Sequence, residues 1–154
     1  QENRKCDVCF NTVDIMPTLL HMMELPIPDE VEGSDVSGCI LGEENAPETD
    51  GCLMMGTGAT ATYEDGHEWR AFRTKQYTYA VYLSDGMELL FDNVSDPLQM
   101  HNLAEDKTYG AIKQELKDKM YAHMHKINDQ FDKCSYYEKN WVENRLIKRT
   151  ATSK

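Results

Sequence analysis

Apolar residues recur along this chain with two periods, and each period marks a different kind of element. From Asp14 onward, Ile15, Leu19, Met22 and Met23 fall at i, i+4, i+7 and i+8, which places them on one face of a helix. Asp14 is positioned to cap that helix, Pro17 lies in its first turn where a missing N–H costs little, and Pro26-Ile27-Pro28 ends it. Residues 29–51 carry no period; Gly33, Ser34, Gly38, Gly42, Asn45 and Pro47 interrupt an acidic stretch that reads as a surface connection with at most one helical turn. Four short segments of β character follow, at 52–57, 69–74, 77–83 and 87–92. Glu64-Asp65-Gly66, Lys75-Gln76, Ser84-Asp85-Gly86 and residues 93–97 separate them, short enough for antiparallel hairpins. From about Thr108 the period returns to that of a helix, with Ile112, Leu116, Met120, Ile127 and Phe131 forming a stripe that should lie across one sheet face.

The expected architecture is α+β: a small antiparallel sheet of three to four strands packed against a long C-terminal helix. The last twenty residues, with Tyr136, Tyr137, Trp141 and Leu146-Ile147, are too aromatic for a disordered tail, but their pattern assigns them no element.

Charge narrows the functional classes. The chain of 154 residues carries a formal −11, and between Lys5 and Arg70 there is no Lys or Arg while fourteen Asp and Glu occur. Nucleic acid is excluded as a partner, because phosphate contacts need clustered basic side chains. Residues 133–154 reverse the sign, with six Lys or Arg against two Glu, a tail able to dock on the acidic body or on a sister subunit. No run approaches the ~18 apolar residues that span a bilayer, so no membrane role is expected. No signal-like stretch follows the N-terminus, and the abrupt start without Met predicts a piece of a longer protein.

The five cysteines, Cys6, Cys9, Cys39, Cys52 and Cys134, are odd in number and match no disulfide framework, so reduced thiols are expected. Unpaired thiols together with the lack of a signal-like segment favour a cytoplasmic location. Cys6-Asp7-Val8-Cys9 lacks the second pair of ligands that completes a zinc site, and His123-Met124-His125 has the wrong spacing. His21, His101, His123 and His125 read as structural or solvated.

Three segments together resemble one family, the sulfatases of the alkaline-phosphatase-like superfamily. Residues 11–20, Asn-Thr-Val-Asp-Ile-Met-Pro-Thr-Leu-Leu, with Leu25-Pro26-Ile27-Pro28 and Glu32-Gly33-Ser34, are similar to the segment that closes the large α/β domain. Glu68-Trp69-Arg70-Ala71-Phe72-Arg73-Thr74 leading into Tyr77-Thr78-Tyr79 resembles the C-terminal strand pair. Glu88-Leu89-Leu90-Phe91-Asp92-Asn93 with Asp96-Pro97 and Asn102-Leu103 resembles the strand, turn and helix entry, in which Asp92, Asn93 and Asp96 read as turn residues rather than catalytic ones. The resemblance implies that residues 1–45 are the terminal segment of a larger α/β domain with its connecting loop, and that 46–154 form the C-terminal subdomain.

It also implies a parent enzyme that hydrolyses a sulfuric ester of a small molecule or glycan, using a formylglycine and a divalent cation, calcium or magnesium, held upstream. Here no cysteine has Pro two places later, and Ser95-Asp96-Pro97-Leu98-Gln99 has Gln where the formylglycine motif needs Arg. No residue of this chain is therefore assigned a catalytic or metal-binding role, and the chain alone is expected to be inactive, with the missing N-terminal catalytic domain as its partner. Substrate contact falls to His67, Arg70 and Arg73, since the resemblance places their strand near the cleft between domains and a guanidinium suits a sulfate or sugar carboxylate. Strand alternation sends Arg70 and Arg73 to opposite faces, so the competing reading is that one pairs with Glu68 or Asp92 and the other lies over Trp69 or Tyr79. A phosphodiesterase or phosphonate hydrolase of the same superfamily, or a non-catalytic interaction module, are the alternative functions.

Overall fold

The computed structural model describes residues 5–57, 64–144 and 146–148. Contacts divide the chain into two units, Gln1–Cys52 and Leu53–Lys154. Part of the basic tail expected at 133–154 lies outside the described residues.

In the first unit a 3-10 turn, Thr12–Asp14, leads into helix α1, Ile15–Met22, and helix α2, Ser37–Leu41, is the single short helix of the acidic connection. The spacing predicts Asp14 as the cap of α1, but its side chain makes no cap hydrogen bond to that helix. It is buried and accepts N–H groups from Asn11 at 2.8 Å and from Ser34 at 2.8 Å, so that it ties the entry of α1 to the connection. Gly33 is required at that junction, because a Cβ there would stand 1.9 Å from the Val13 carbonyl oxygen. The Thr18 hydroxyl accepts the Val36 N–H at 3.2 Å, and His21 Nδ1 pairs with the Asp35 carboxylate. The residues α1 buries are Pro17 and Thr18; Ile15, Met16, Leu19 and Met22 stay exposed, as does Met23.

The second unit is built on a four-stranded antiparallel sheet in the order β1-β2-β3-β4, with β1 at Cys52–Thr57, β2 at Glu68–Arg73, β3 at Tyr77–Tyr82 and β4 at Glu88–Asp92. The register sets Phe72 opposite Tyr79 and Tyr79 opposite Leu90, a row of three side chains fully buried on one face. Helix α3, Gly110–Lys126, covers that row with Leu116, Met120 and Met124. Each such side chain contributes about 1.5–3 kcal/mol by leaving water.

Two polar devices brace β4, one against the helix and one against the segment that leads to it. Glu88 on β4 receives Lys113 at 2.8 Å, Lys117 at 2.9 Å and the Tyr79 hydroxyl at 2.7 Å. Asn102 closes the free edge of β4: its side-chain oxygen accepts the N–H of Leu90 at 2.9 Å and of Ala104 at 3.0 Å, and its amide donates to the Glu88 carbonyl at 3.2 Å. Across the opposite sheet face, Trp69 lies over Gly56, where a Cβ would come within 2.2 Å of the indole nitrogen.

The stripe predicted through Ile127 and Phe131 is corrected at its end. Helix α3 stops at Lys126, and Asn128 and Phe131 take left-handed φ values of 56°, which a continuing helix does not allow. The chain then forms helix α4, Cys134–Trp141, and a small hairpin of β5, Val142–Glu143, and β6, Leu146–Ile147. These are the elements of the aromatic tail that the pattern left without assignment.

Candidate functional site

Strand β2 presents its charged residues to two different environments. Arg70 shares the inner face with Glu68 and Phe72, while Arg73 shares the other face with Trp69 and Ala71. His67 is exposed on the turn entering β2. Among the described residues no hydrogen bond or ion pair joins any two of His67, Arg70 and Arg73, so the structure does not gather them into one cluster.

Arg70 is buried, and its five donors are all engaged. Nε donates to Asp129 Oδ2 at 2.5 Å and Nη2 to Asp129 Oδ1 at 2.9 Å; Nη2 also reaches the Tyr137 hydroxyl at 3.4 Å. Nη1 donates to the carbonyls of Trp69 at 3.0 Å and Gly56 at 3.4 Å. Its guanidinium lies 4.6 Å above the Phe131 ring. Burial disfavours the charged guanidinium, but the Asp129 carboxylate outweighs it and raises the pKa; burial likewise pushes Asp129 up, and Arg70 with the Phe131 N–H brings it below the usual carboxylate range. The partner of Arg70 is therefore Asp129, rather than the Glu68 or Asp92 weighed from the sequence.

Glu68 does other work on the same face. Its carboxylate accepts the Cys134 N–H at 2.6 Å and the Gly66 N–H at 2.8 Å, and Asp65 accepts the Ser135 N–H at 2.8 Å and hydroxyl at 2.9 Å. The two acids thus supply the N-terminal cap of α4, whose own flanking residue Lys133 makes no side-chain cap. Burial pushes Glu68 up, but the donated N–H groups leave it lowered.

Arg73 sits in a different setting. Its Nη1 donates to Thr78 Oγ1 at 3.0 Å and Asn93 Oδ1 at 3.2 Å, and Gln99 donates to the same two oxygens at 3.2 and 2.9 Å. Asn93 Nδ2 is buried there without a hydrogen-bond partner.

Beside β1 and β2, residues of 127–142 together with Ile147 line a half-open cavity of about 260 Å3. Met55, Ile127, Tyr137, Trp141 and Val142 form most of its wall, and the Arg70–Asp129 pair and Asp132 reach it. The Tyr137 and Trp141 rings meet edge to face at 4.7 Å. Sequence reasoning missed this feature; the signal for it was the run of aromatic residues in the tail. Among the described residues no three His, Cys, Asp or Glu side chains are arranged to hold a metal ion, and no helix is long and apolar enough to cross a membrane.

The family model for the C-terminal part of N-sulphoglucosamine sulphohydrolase matches residues 1–126. The ulvan-active sulfatase of Formosa agariphila is 37% identical over 133 residues, 86% of this chain and 25% of that protein, so this chain spans about a quarter of the relative's length. Among solved structures, a 2-O GAG sulfatase superposes with a TM-score of 0.71 at 21% identity, over 93% of this chain and 29% of that one. Phosphonate monoester hydrolase of Agrobacterium radiobacter shares the fold more loosely, with a TM-score of 0.55 at 20% identity over 73% of this chain and 24% of its own. With the family match running from the first unit through the sheet to the end of α3, the chain belongs to the N-sulphoglucosamine sulphohydrolase C-terminal family, the C-terminal part of alkaline-phosphatase-like sulfatases.

Proposed function

We propose that this chain is the fold-completing C-terminal portion of a sulfuric ester hydrolase that acts on a sulfated sugar. The observation that carries the reading, beside the family membership, is the apolar face of α1. Met16, Leu19 and Met23 are each more than half exposed, at 55%, 52% and 64%. Apolar surface concentrated on one element marks a contact surface. In this reading residues 1–45 are the last segment of the large α/β domain, that domain covers α1, and 46–154 form the subdomain beside the cleft. The formylglycine and the calcium or magnesium ion belong to that domain.

The geometry supports a division of labour among the three candidate residues. His67 and Arg73 keep exposed side chains and serve as substrate contacts at the cleft rim. Arg70, with every donor engaged, acts as a positioning residue that holds the strand bearing Arg73 and entered from His67.

The test compares the whole protein with the 154-residue chain on an aryl sulfate in the presence of calcium. Turnover in the whole protein alone is the expected result. Faster hydrolysis of an aryl phosphonate monoester than of the sulfate would replace this reading with the phosphonate hydrolase alternative.

A further inference from the structure

The cavity beside β1 and β2 has a lining whose chemistry selects among ligands. Among the described residues that line it the one cation is Arg70, which has no donor to spare, and two carboxylates, Asp129 and Asp132, reach the same wall. A sulfate or carboxylate entering it would be desolvated beside two carboxylates and an arginine whose donors are already engaged, which disfavours an anion. The remaining wall is apolar and aromatic, dominated by Trp141, Tyr137, Met55 and Ile127. Gln130, which is exposed, and Thr57 add an amide and a hydroxyl to the lining. A wholly apolar ligand would cover these polar groups without replacing their water. The volume of about 260 Å3 lies just under the roughly 300 Å3 at which pockets for drug-sized ligands begin, a size for one ring rather than an extended chain.

We propose that this cavity is a subsite for one unsulfated sugar ring. The apolar C–H face of the pyranose lies on the Trp141 indole, and its hydroxyls meet Gln130 and Asp132. It rests on the reading of the parent as a hydrolase of a sulfated sugar, and adds that this sugar is part of a glycan whose neighbouring ring, held here, is neutral. The sulfate is handled elsewhere, so the subsite serves length and register of the glycan rather than the chemistry.

The experiment follows the two indole N–H signals, Trp69 and Trp141, in NMR spectra of the 154-residue chain titrated with methyl glycosides of glucose, galactose, xylose and rhamnose, and with glucose 6-sulfate. A saturating shift of the Trp141 signal with at least one neutral glycoside, at a Kd on the order of 1–10 mM, is expected, with the Trp69 signal unmoved. Gln130→Ala, at an exposed position, should weaken binding about 3- to 10-fold, and Trp141→Ala, followed through the methyl signal of Met55 on the same cavity wall, should abolish it while the core signals around Phe72 persist. The proposal is overturned if no neutral glycoside shifts Trp141 by about 20 mM, if the sulfated sugar binds as well as the neutral ones, or if Gln130→Ala leaves the affinity unchanged. Failure of the parent reading is seen separately, in a whole protein that turns over no sulfate ester while the isolated chain still binds a neutral glycoside.

Discussion

Arg70 and Asp129 grip one another in a two-pronged pair across 59 positions of sequence, with side chains only 1% and 5% exposed. Removing either partner strands the other charge in the interior. Arg70→Ala or Asp129→Ala should cost about 3–5 kcal/mol, read as a lower urea midpoint at unchanged slope. The double replacement Arg70→Met with Asp129→Leu should cost clearly less than the two single losses together; strict additivity would show that the pair is not coupled.

Glu88 makes the unit's stability depend on pH. Hydrogen bonds from Lys113, Tyr79 and Lys117 depress its pKa from 4.5 to about 2. A carboxylate whose folded pKa lies below its unfolded value stabilises the fold fully above the unfolded value, and loses that contribution as the pH falls from about 4.5 toward 2. Glu88→Gln should therefore cost about 1–2 kcal/mol at pH 6, discounted for the partly exposed lysines, and nothing near pH 2. Parallel urea melts of both proteins across this range check it; a difference that stays constant with pH would refute the assignment.

At the proposed cleft rim, Arg73→Ala and His67→Ala in the whole enzyme should lower kcat/KM, by about tenfold for the arginine, with little change in melting temperature. Arg70→Ala should instead lower the melting temperature. If all three variants keep wild-type kinetics, β2 is structural throughout.

The α1 face should be sticky in the isolated chain. A hydrophobic dye should bind it, and Leu19→Glu with Met23→Glu should remove most of the fluorescence without lowering the melting temperature. In the whole protein the same pair of substitutions should destabilise the fold, because the face is then covered. A dye signal unchanged by the double substitution would locate the exposed apolar surface elsewhere.

The sheet was legible because its signals are local. Alternation through 77–82 and the turn residues on either side are enough to define β3, and Asp96-Pro97 and Asn102 mark the route from β4 to α3. What escaped depends on distant partners. Nothing near Arg70 announces Asp129, and nothing before Cys134 announces a helix, since its cap is supplied by Asp65 and Glu68, 70 and 66 positions earlier. The period that carried α3 too far, through Ile127 to Phe131, continues in sequence after the backbone has turned left-handed at Asn128. Asp14 misled in another way: its carboxylate closes the capping box of the preceding 3-10 turn with Asn11 and reaches across 20 positions to Ser34, instead of capping α1.

The borrowed cap of α4 also sets an order of assembly. Eight residues are too few to stay helical alone in water, and the carboxylates that receive the first two N–H groups belong to the turn and strand of β2. The tail can therefore wind only on a sheet already in place, as a late addition templated by an early one. Its amides at Cys134 and Ser135 should accordingly exchange with deuterium faster than those of β2, through openings that leave the sheet folded, and more slowly than the uncapped far end of the same helix.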